Sequence, residues 1–390
     1  MHRQKFQADH IFDGEKLFPK DMVVICDGER RIEEIVHSNS AGDDVQLLKG
    51  IISPGLINCH CHLELSHMKG LIAEKTGLVY FVFSIVTQRH FPDEEILDAI
   101  EKAEGEMQKN GIVAVGDICN NLLSLAQKSK HNLQYYNFIE SSGWHPDIAN
   151  SRIEKSKSYY NVFSKISPSS IVPHAPYSVS DNLWKLIQPY FENKVVSIHN
   201  QETNFEDELF IQNSGDFVRM YKMMNIDTSF YKPTGQSSLQ SYFGKLPQAA
   251  QVVLVHNTYI QQADINFIKK SAQANHVSFC LCPNANLYIE NALPPIELLR
   301  RNDCPIVLGT DSLASNHSLS MLDEMKTIQH HFPTVSLEEM LGWATLNGAQ
   351  ALQMDDSLGS LKKGKKPGLV LMENVEGGML VSESAVRRLV

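Results

Sequence analysis

The sequence has no run of about 18 consecutive apolar residues, so it offers no candidate for a membrane-spanning helix. It has no basic excess either. Its 45 acidic and 35 basic side chains give a formal net charge of −10, which argues against a nucleic-acid-binding surface. The first residues lack the apolar stretch of a signal peptide, and seven cysteines, an odd number, do not indicate a disulfide framework. We therefore expect a cytoplasmic protein without membrane or nucleic-acid partners.

What the sequence does contain is the composition of a folded globular protein, with 43% hydrophobic and 21% charged residues. Near the amino terminus, the β-prone runs Met22–Cys26 and Arg31–Val36 flank an Asp-Gly turn, which predicts a β-hairpin. A turn-rich stretch and the apolar run Leu369–Met372 lie near the other end. We expect the two ends, residues 1–53 and 356–390, to form one small β-sandwich domain.

Between residues 54 and 355, short apolar strands alternate with helical segments. Nearly continuous apolar runs are typical of parallel strands buried on both faces. Eight strand–helix units over this length predict an α/β fold, a (β/α)₈ barrel of the TIM type. The stretch 204–248 is too long for an ordinary crossover, and we expect extra helices or a lid there. The predicted strands are Leu56–His62, Ile112–Ile118, Leu133–Ile139, Ser170–His174, Val195–His199, Val252–His256, Val277–Leu281 and Pro305–Gly309.

Polar side chains recur at the carboxyl ends of these predicted strands. In a barrel, those ends meet at one mouth, where active sites are built. Chance readily accounts for one buried histidine, but not for six such placements. The residues are His60, His62, His174, His199, His256 and Asp311.

The segment Asn58–His62 has the sequence Asn-Cys-His-Cys-His and is the sharpest local signal. Alternate side chains of a strand share one face, so His60 and His62 point together while the two cysteines point to the other side. A Cys/His zinc knuckle is the competing interpretation, but its ligands converge from a loop rather than from a strand. We favour the histidines as metal ligands and Cys59 and Cys61 as small buried residues.

Further polar residues follow the later strands. Glu202 comes three residues after His199, where it can reach the same cavity without binding a metal. His256 ends an apolar strand, and Asp311 follows Gly309-Thr310 at the end of the eighth strand. An Asp at this position can also cap a helix, but an Asp that faces three imidazoles is better placed as a ligand.

These motifs resemble, in order and spacing, those of the amidohydrolase superfamily, the metal-dependent hydrolases that include adenosine, cytosine and guanine deaminases. The resemblance covers nearly the whole chain. The chain departs from the family pattern at Lys366-Pro367-Gly368, where Ala-Asp is usual, and this position lies in the predicted small β domain. The similar segments are Ser53–Asn58 with His60-Cys61-His62, His199-X-X-Glu202, Val255-His256-Asn257, Cys282–Leu287, Gly309-Thr310-Asp311 and Leu358–Lys365.

The resemblance implies the mononuclear deaminase branch with one divalent metal ion, because no lysine is apparent at the end of strand four to bridge two. Zinc suits three imidazoles and a carboxylate, and iron also fits. The implied catalytic residues are Asp311, which takes a proton from the attacking water, His256, which orients that water, and Glu202, which protonates a ring nitrogen of the substrate. The implied metal ligands are His60, His62, His199 and Asp311.

The segments on the substrate side look most like the aminodeoxyfutalosine deaminases of menaquinone biosynthesis, within the same superfamily. This implies deamination of a 6-aminopurine nucleoside, in which adenine becomes hypoxanthine and ammonia is released. Two of these residues have an alternative to substrate contact. Glu64 could form a salt bridge at the barrel mouth, and Arg89 could lie at a solvated helix end. The residues implied at the substrate pocket are Glu64, His174, Arg89 and Ser312.

Other functions share these motifs. Close neighbours deaminate S-adenosylhomocysteine and methylthioadenosine, and chlorohydrolases use the same kind of site to displace halide from a heteroaromatic ring. A non-catalytic barrel would have lost metal ligands, whereas here all four are present together with Glu202. We expect a small-molecule substrate, and a homodimer is the oligomeric state to test.

Overall fold

The computed structural model describes residues 3–246 and 248–390. The first strands are β1 Gln4–Gln7, β2 His10–Phe12, β3 Leu17–Phe18, β4 Met22–Cys26, β5 Ile32–His37, β6 Gln46–Leu47 and β7 Ile51–Pro54. β4 and β5 pair antiparallel, so the predicted hairpin is confirmed. The sheet that contains them has the order β5-β4-β1-β6.

The next eight strands are buried along nearly their whole length. They are β8 Leu56–Cys61, β9 Ile112–Cys119, β10 Gln134–Ser141, β11 Ser169–Pro173, β12 Val195–Asn200, β13 Gln251–His256, β14 Val277–Leu281 and β15 Ile306–Leu308. They form two parallel four-stranded sheets, in the orders β11-β10-β9-β8 and β12-β13-β14-β15. The predicted strands are confirmed, although β8 ends one residue before His62.

The two parallel sheets meet at both edges near the carboxyl ends of their strands. The backbone amides of Thr310 and Asp311 donate to the carbonyl of His60 at 3.1 and 3.0 Å, which joins the end of β15 to β8. The amide of His199 donates to the carbonyl of His174 at 3.0 Å, which joins β12 to the residue after β11. This mixed α/β arrangement with parallel sheets is consistent with the predicted TIM-type barrel.

Helices follow most of the strands. The α-helices are α1 Leu78–Gln88, α2 Asp93–Lys109, α3 Leu125–Lys128, α4 Ala149–Phe163, α5 Asp181–Ile187, α6 Phe205–Gln212, α7 Asp216–Met223, α8 Ser238–Tyr242, α9 Gln262–Lys269, α10 Pro283–Glu290, α11 Ile296–Arg301, α12 Met321–His331, α13 Leu337–Trp343 and α14 Leu346–Ala351. A 3₁₀ helix, Leu63–Met68, directly follows β8. In the described ranges, no helix has both the length and the apolar character that crossing a bilayer requires.

The extra helices predicted for residues 204–248 are present as α6, α7 and α8. The α7 residues Phe217 and Tyr221 are buried in an apolar cluster with Tyr177 and Trp144. Two of these contacts are ring stacks, Phe217 on Tyr177 at 4.0 Å and Tyr221 on Trp144 at 5.2 Å between centroids. The same cluster includes residues of α1. The inserted helices therefore pack over the loops that follow the strands.

The chain ends with β16 Leu369–Glu376 and β17 Met379–Arg388, which pair antiparallel. The apolar run Leu369–Met372 predicts only the first half of β16, and no sequence pattern predicts β17. β16 also pairs with β7, with Leu369 opposite Pro54. The resulting sheet, in the order β17-β16-β7-β2-β3, contains segments from both ends of the chain.

A buried ion pair lies beneath the carboxyl end of β9. The ammonium of Lys128 lies 2.5 Å from Oδ2 of Asp117, and both side chains are fully buried. Oδ1 of Asp117 accepts the backbone N–H of Leu63, the residue after His62, at 2.8 Å. Although burial opposes a charge on Lys128, the facing carboxylate raises the pKa of this lysine above its usual value. The pair thus ties α3 to the segment that follows β8.

Replacing Lys128 by Met should leave Asp117 as an uncompensated buried charge. We expect the free energy of unfolding in urea to fall by about 3–5 kcal/mol. The matched control is Lys130→Met, because Lys130 pairs with Glu101 at the exposed surface and such pairs contribute less than about 1 kcal/mol. Equal losses in the two variants would contradict the structural role of the buried pair.

Candidate active site

The structure brings the four predicted metal ligands together at the carboxyl ends of the parallel strands. Nε2 of His60 and Nε2 of His62 lie 3.1 Å apart. Oδ1 of Asp311 is 3.5 Å from the first of these atoms and 3.3 Å from the second. The ring of His199 lies against that of His60, with centroids 4.9 Å apart. In the sets His60–His62–Asp311 and His60–His199–His256, the candidate ligand atoms lie within 4.8 Å of one another.

The alternation of β8 explains why two histidines face the cluster. His60 and His62 point to the face of the strand on which Asp311 lies. Cys59 and Cys61 point to the other face and belong to the apolar core. Sγ of Cys59 lies 3.7 Å from the carbonyl oxygen of Gly348 in α14. Cys59 therefore faces a surrounding helix, and this packing of the cysteines disfavours the zinc-knuckle alternative.

Asp311 is held in place by its own loop. Its backbone is in the left-handed region, with φ +58°, a conformation that is uncommon for residues other than glycine. Oδ2 accepts the hydroxyl of Ser315 at 2.6 Å, so Oδ1 remains free to face the histidines. A Cβ at Gly309 would lie 2.9 Å from Cβ of His60, so glycine allows this close approach. The helix-cap alternative is wrong, because the next helix, α12, is capped by Ser320.

The protonation states of the cluster suit a cation. Burial lowers the pKa of His62 to about 3 and that of His199 to about 4, and it also lowers the pKa of His60. The imidazoles are therefore neutral and keep a lone pair for a ligand. Burial alone would raise the pKa of Asp311, but the facing imidazoles lower it below its usual value. Three neutral nitrogens and one carboxylate fit a divalent metal ion.

The ring of His199 is oriented by contacts to its Nδ1, the ring nitrogen that faces away from the cluster. Its Nδ1 donates to the carbonyl of His174 at 2.7 Å, which leaves Nε2 for the cluster. Oε1 of Glu140 lies 3.4 Å from the same Nδ1. Metal-binding histidines commonly donate their second nitrogen to a carbonyl or carboxylate in this way.

Glu202 and His256 stand beside the ligand cluster. Oε1 of Glu202 lies 3.6 Å from Nε2 of His256, and both side chains are buried. Nδ1 of His256 contacts the side-chain amide of Asn286 at 3.2 Å, so Nε2 is the atom that faces Glu202. Burial, together with the charges of Asp311 and other carboxylates, raises the pKa of Glu202 well above its usual value. Glu202 is therefore suited to hold a proton near neutral pH.

A cavity of about 380 Å³ opens beside the cluster, and all four predicted substrate-side residues line it. Glu64 is buried and accepts the backbone amides of Asn120 and Asn121 at 2.9 and 3.2 Å. In the described chain no ion pair to Glu64 is formed, which disfavours the salt-bridge alternative. Arg89 ends α1, as its alternative expects, but it is partly buried in the cavity wall rather than fully solvated. His174 and Ser312 complete the set.

Glu140, which is not among the site residues predicted from the sequence, lines the same cavity. Burial raises the pKa of Glu140 to about 8. Its Oε2 accepts the side-chain amide of Asn120 at 2.8 Å. The predicted third strand stops at Ile139, two residues before the true end of β10. A longer strand would have placed Glu140 at the mouth by the same rule that identified the histidines.

The purified protein should contain about one transition-metal ion per chain, and a chelator should remove it. His60→Ala and His199→Ala should each lose most of that metal, because each removes one buried nitrogen ligand. The matched control is the double variant Cys59→Ala/Cys61→Ala, which alters the opposite face of β8 and should keep the metal. Elemental analysis gives the stoichiometry. Metal loss from the folded cysteine variant, with retention in the histidine variants, would refute this ligand set.

Comparison with known proteins places the chain among hydrolases. The model of the Amidohydrolase family matches residues 51–383. A 5-methylthioadenosine/S-adenosylhomocysteine deaminase of Saccharophagus degradans is 27% identical over 386 residues, which cover 92% of this chain and 80% of that protein. A 5′-deoxyadenosine deaminase of Methanococcus vannielii is 24% identical over 408 residues, which cover 96% and 89%.

A solved structure supports the fold. The aminofutalosine deaminase of Helicobacter pylori, in complex with methylthio-coformycin, matches with a TM-score of 0.82 and 21% identity, covering 99% of this chain and 100% of that one. The family model spans most of the chain, so the predicted resemblance is confirmed. The chain belongs to the amidohydrolase family.

Proposed function

We propose that the protein is a metal-dependent hydrolytic deaminase of 5′-substituted adenine nucleosides, which converts the adenine ring to hypoxanthine and releases ammonia. The observation that carries this proposal is the position of Glu202, a buried acid that lies 3.6 Å from His256 and lines the same cavity as His62, His199 and Asp311. A cavity of about 380 Å³ has the size of a small-molecule site. The names of the two relatives, both deaminases of adenosine derivatives, support the same substrate class.

His60, His62, His199 and Asp311 would hold one divalent ion, and this donor set favours zinc. Such an ion, when bound, lowers the pKa of a water molecule towards neutrality. Asp311 is then the base that takes a proton from the attacking water. His256, with Nε2 facing the cluster, orients the water and stabilises developing charge.

Glu202 is the general acid of this proposal. It donates its proton to a ring nitrogen next to the carbon that carries the amino group, which makes that carbon more electrophilic. The proton that Asp311 collects can then pass to the leaving amine. The side chain is buried against His256, and its raised pKa lets it hold this proton. In the overall reaction, the adenine nucleoside and one water molecule give the corresponding hypoxanthine nucleoside and one molecule of ammonia.

The lining of the cavity supports a particular kind of 5′ substituent. It includes the buried apolar side chains of Phe81 in α1, Met220 in α7 and Trp144, and the exposed cationic side chains of Arg152 and Lys155 in α4. Apolar walls bind an apolar substituent, and the two cations attract a carboxylate at its end. We therefore favour aminodeoxyfutalosine, in a menaquinone pathway, as the substrate, with S-adenosylhomocysteine as the alternative that also bears a carboxylate.

The proposal extends to the architecture. We infer that residues 54–355 close into a complete (β/α)₈ barrel and that 1–53 with 356–390 form a β-sandwich domain. The sandwich is supported by one apolar cluster that packs Phe6 and Val24 of one end-domain sheet against Leu369 and Leu371 of the other. Such packing between inner faces is what joins two sheets into a sandwich.

A panel of adenine nucleosides tests which 5′ substituent the enzyme accepts. We expect ammonia release from aminodeoxyfutalosine, S-adenosylhomocysteine and methylthioadenosine, with an absorbance shift from adenine to hypoxanthine. Arg152→Gln should lower kcat/KM for the carboxylate-bearing substrates by about tenfold, equivalent to one charge-assisted hydrogen bond, and leave methylthioadenosine nearly unchanged. Equal effects on all three substrates would contradict the carboxylate contact, and no ammonia from any adenine nucleoside would refute the proposed function.

Glu202→Gln tests the acid. The amide keeps the shape of the side chain but cannot donate an acidic proton, so kcat should fall by a factor of about 10² to 10⁴ while metal content and KM change little. In the wild type, kcat should decline on the alkaline side, because the protonated form is the active one and the pKa of Glu202 is raised. The variant should lack that decline. An empty metal site in this variant would show that Glu202 is a ligand instead.

A further inference from the structure

The loop that carries Glu202 is held by a second buried carboxylate that the proposed reaction does not use. Glu206 lies in the first turn of α6 and is fully buried. Its Oε1 accepts the backbone N–H of Glu202 at 2.9 Å, and its Oε2 accepts that of Gln201 at 3.0 Å. Oε2 also accepts the hydroxyl of Ser238 at 2.9 Å. Three donors therefore converge on one side chain.

The held loop has an unusual backbone. Gln201 has φ +44°, in the left-handed region, which costs free energy in a residue other than glycine and persists only where the surroundings enforce it. The side-chain amide of Gln201 is itself fixed, because it donates to Oδ2 of Asp264 at 3.0 Å. This turn directs the chain from the metal ligand His199 to Glu202. Its conformation therefore determines where the Glu202 side chain stands.

The remaining hydrogen bonds that hold this loop come from α8, in the long segment 204–248. The backbone N–H of Ser238 donates to Oδ1 of Asp207 at 2.8 Å, while its hydroxyl donates to Glu206. The hydroxyl of Tyr242 donates to Oδ1 of Asn200 at 2.8 Å. The start and the end of the insertion are thus bonded to each other and to residues 200–202. We call Glu206 and Ser238 the loop clamp.

We infer that Glu206 is a positioning residue for Glu202, and that the insertion 204–248 supplies the loop clamp through α6 and α8. The inference rests on the proposed function, in which Glu202 is the acid. Glu206 makes its bonds to the backbone of the loop rather than to the substrate cavity. Its contribution to turnover therefore passes through Glu202, whose backbone it holds.

Glu206→Gln preserves volume but turns one acceptor oxygen into an NH₂ group that faces a backbone N–H. We expect unchanged metal content, KM within about threefold, and kcat lower by about 10-fold to 10²-fold, the size of effect that a small misplacement of a catalytic group produces. The matched control is Glu208→Gln. Glu208 lies on the same helix and accepts none of the bonds from Gln201 or Glu202, so its variant should retain wild-type kcat.

A double-variant cycle separates positioning from a general structural role. In a Glu202→Gln background, Glu206→Gln should change kcat by less than about threefold, because the residue through which it acts has already been disabled. A loss of equal size in both backgrounds would overturn the inference. If Glu206→Gln does not fold, Ser238→Ala is the milder variant. Its kcat should fall by about fivefold, the equivalent of one neutral hydrogen bond.

Hydrogen exchange tests the loop clamp without reference to activity. In Glu206→Gln, the amides of Gln201 and Glu202 should exchange at least about tenfold faster than in the wild type, since both lose or weaken their acceptor. Glu208→Gln should leave them protected. Unchanged protection in Glu206→Gln would overturn the loop clamp even if the enzyme is active. A wild type that protects these amides but releases no ammonia would instead count against the proposed function alone.

Discussion

The rest of the structure depends on a buried charge imbalance at the strand ends. Three imidazoles that burial keeps neutral face the carboxylate of Asp311, with donor atoms of His60 and His62 within 3.5 Å of its Oδ1. Four electron-pair donors that share one negative charge repel one another unless a cation lies among them. We therefore propose that the cluster is stable as a metal site, and the surrounding chain holds its four members at the ends of three strands, β8, β12 and β15.

Buried carboxylates fix the loops around this cluster. Asp117, paired with Lys128, accepts the amide that follows His62. Glu206 accepts the backbone N–H groups of Gln201 and Glu202. Glu324 accepts the side-chain NH₂ of Asn316, which also donates to the carbonyl of Thr310 beside Asp311. The loop that follows His62, the loop that carries Glu202 and the loop that follows Asp311 are thus each bonded to an acid packed within the protein, and rigid support of this kind is what a reactive constellation requires.

The parts of this arrangement that follow from local pattern could be predicted from the sequence. The period of two along β8 separates the histidines from the cysteines, and apolar runs that end in a polar residue locate His199, His256 and Asp311. The remainder depends on contacts between distant segments. Glu206 has the appearance of an ordinary acid in the first turn of a helix, and only the fold brings Ser238 to it. β17 has Ser382-Glu383-Ser384 between its apolar residues and ends in two arginines, so it lacks a continuous apolar run and its pairing depends on β16.

The central claim is that one metal ion in this cluster supports hydrolysis of an adenine nucleoside. The most direct measurement is to strip the protein of metal, return zinc in measured fractions of an equivalent, and record ammonia release from aminodeoxyfutalosine or S-adenosylhomocysteine at each step. The account predicts no turnover in the stripped protein and a rate that rises linearly and levels off at about one equivalent per chain. Full turnover without metal, or a rise that continues to two equivalents, would contradict it.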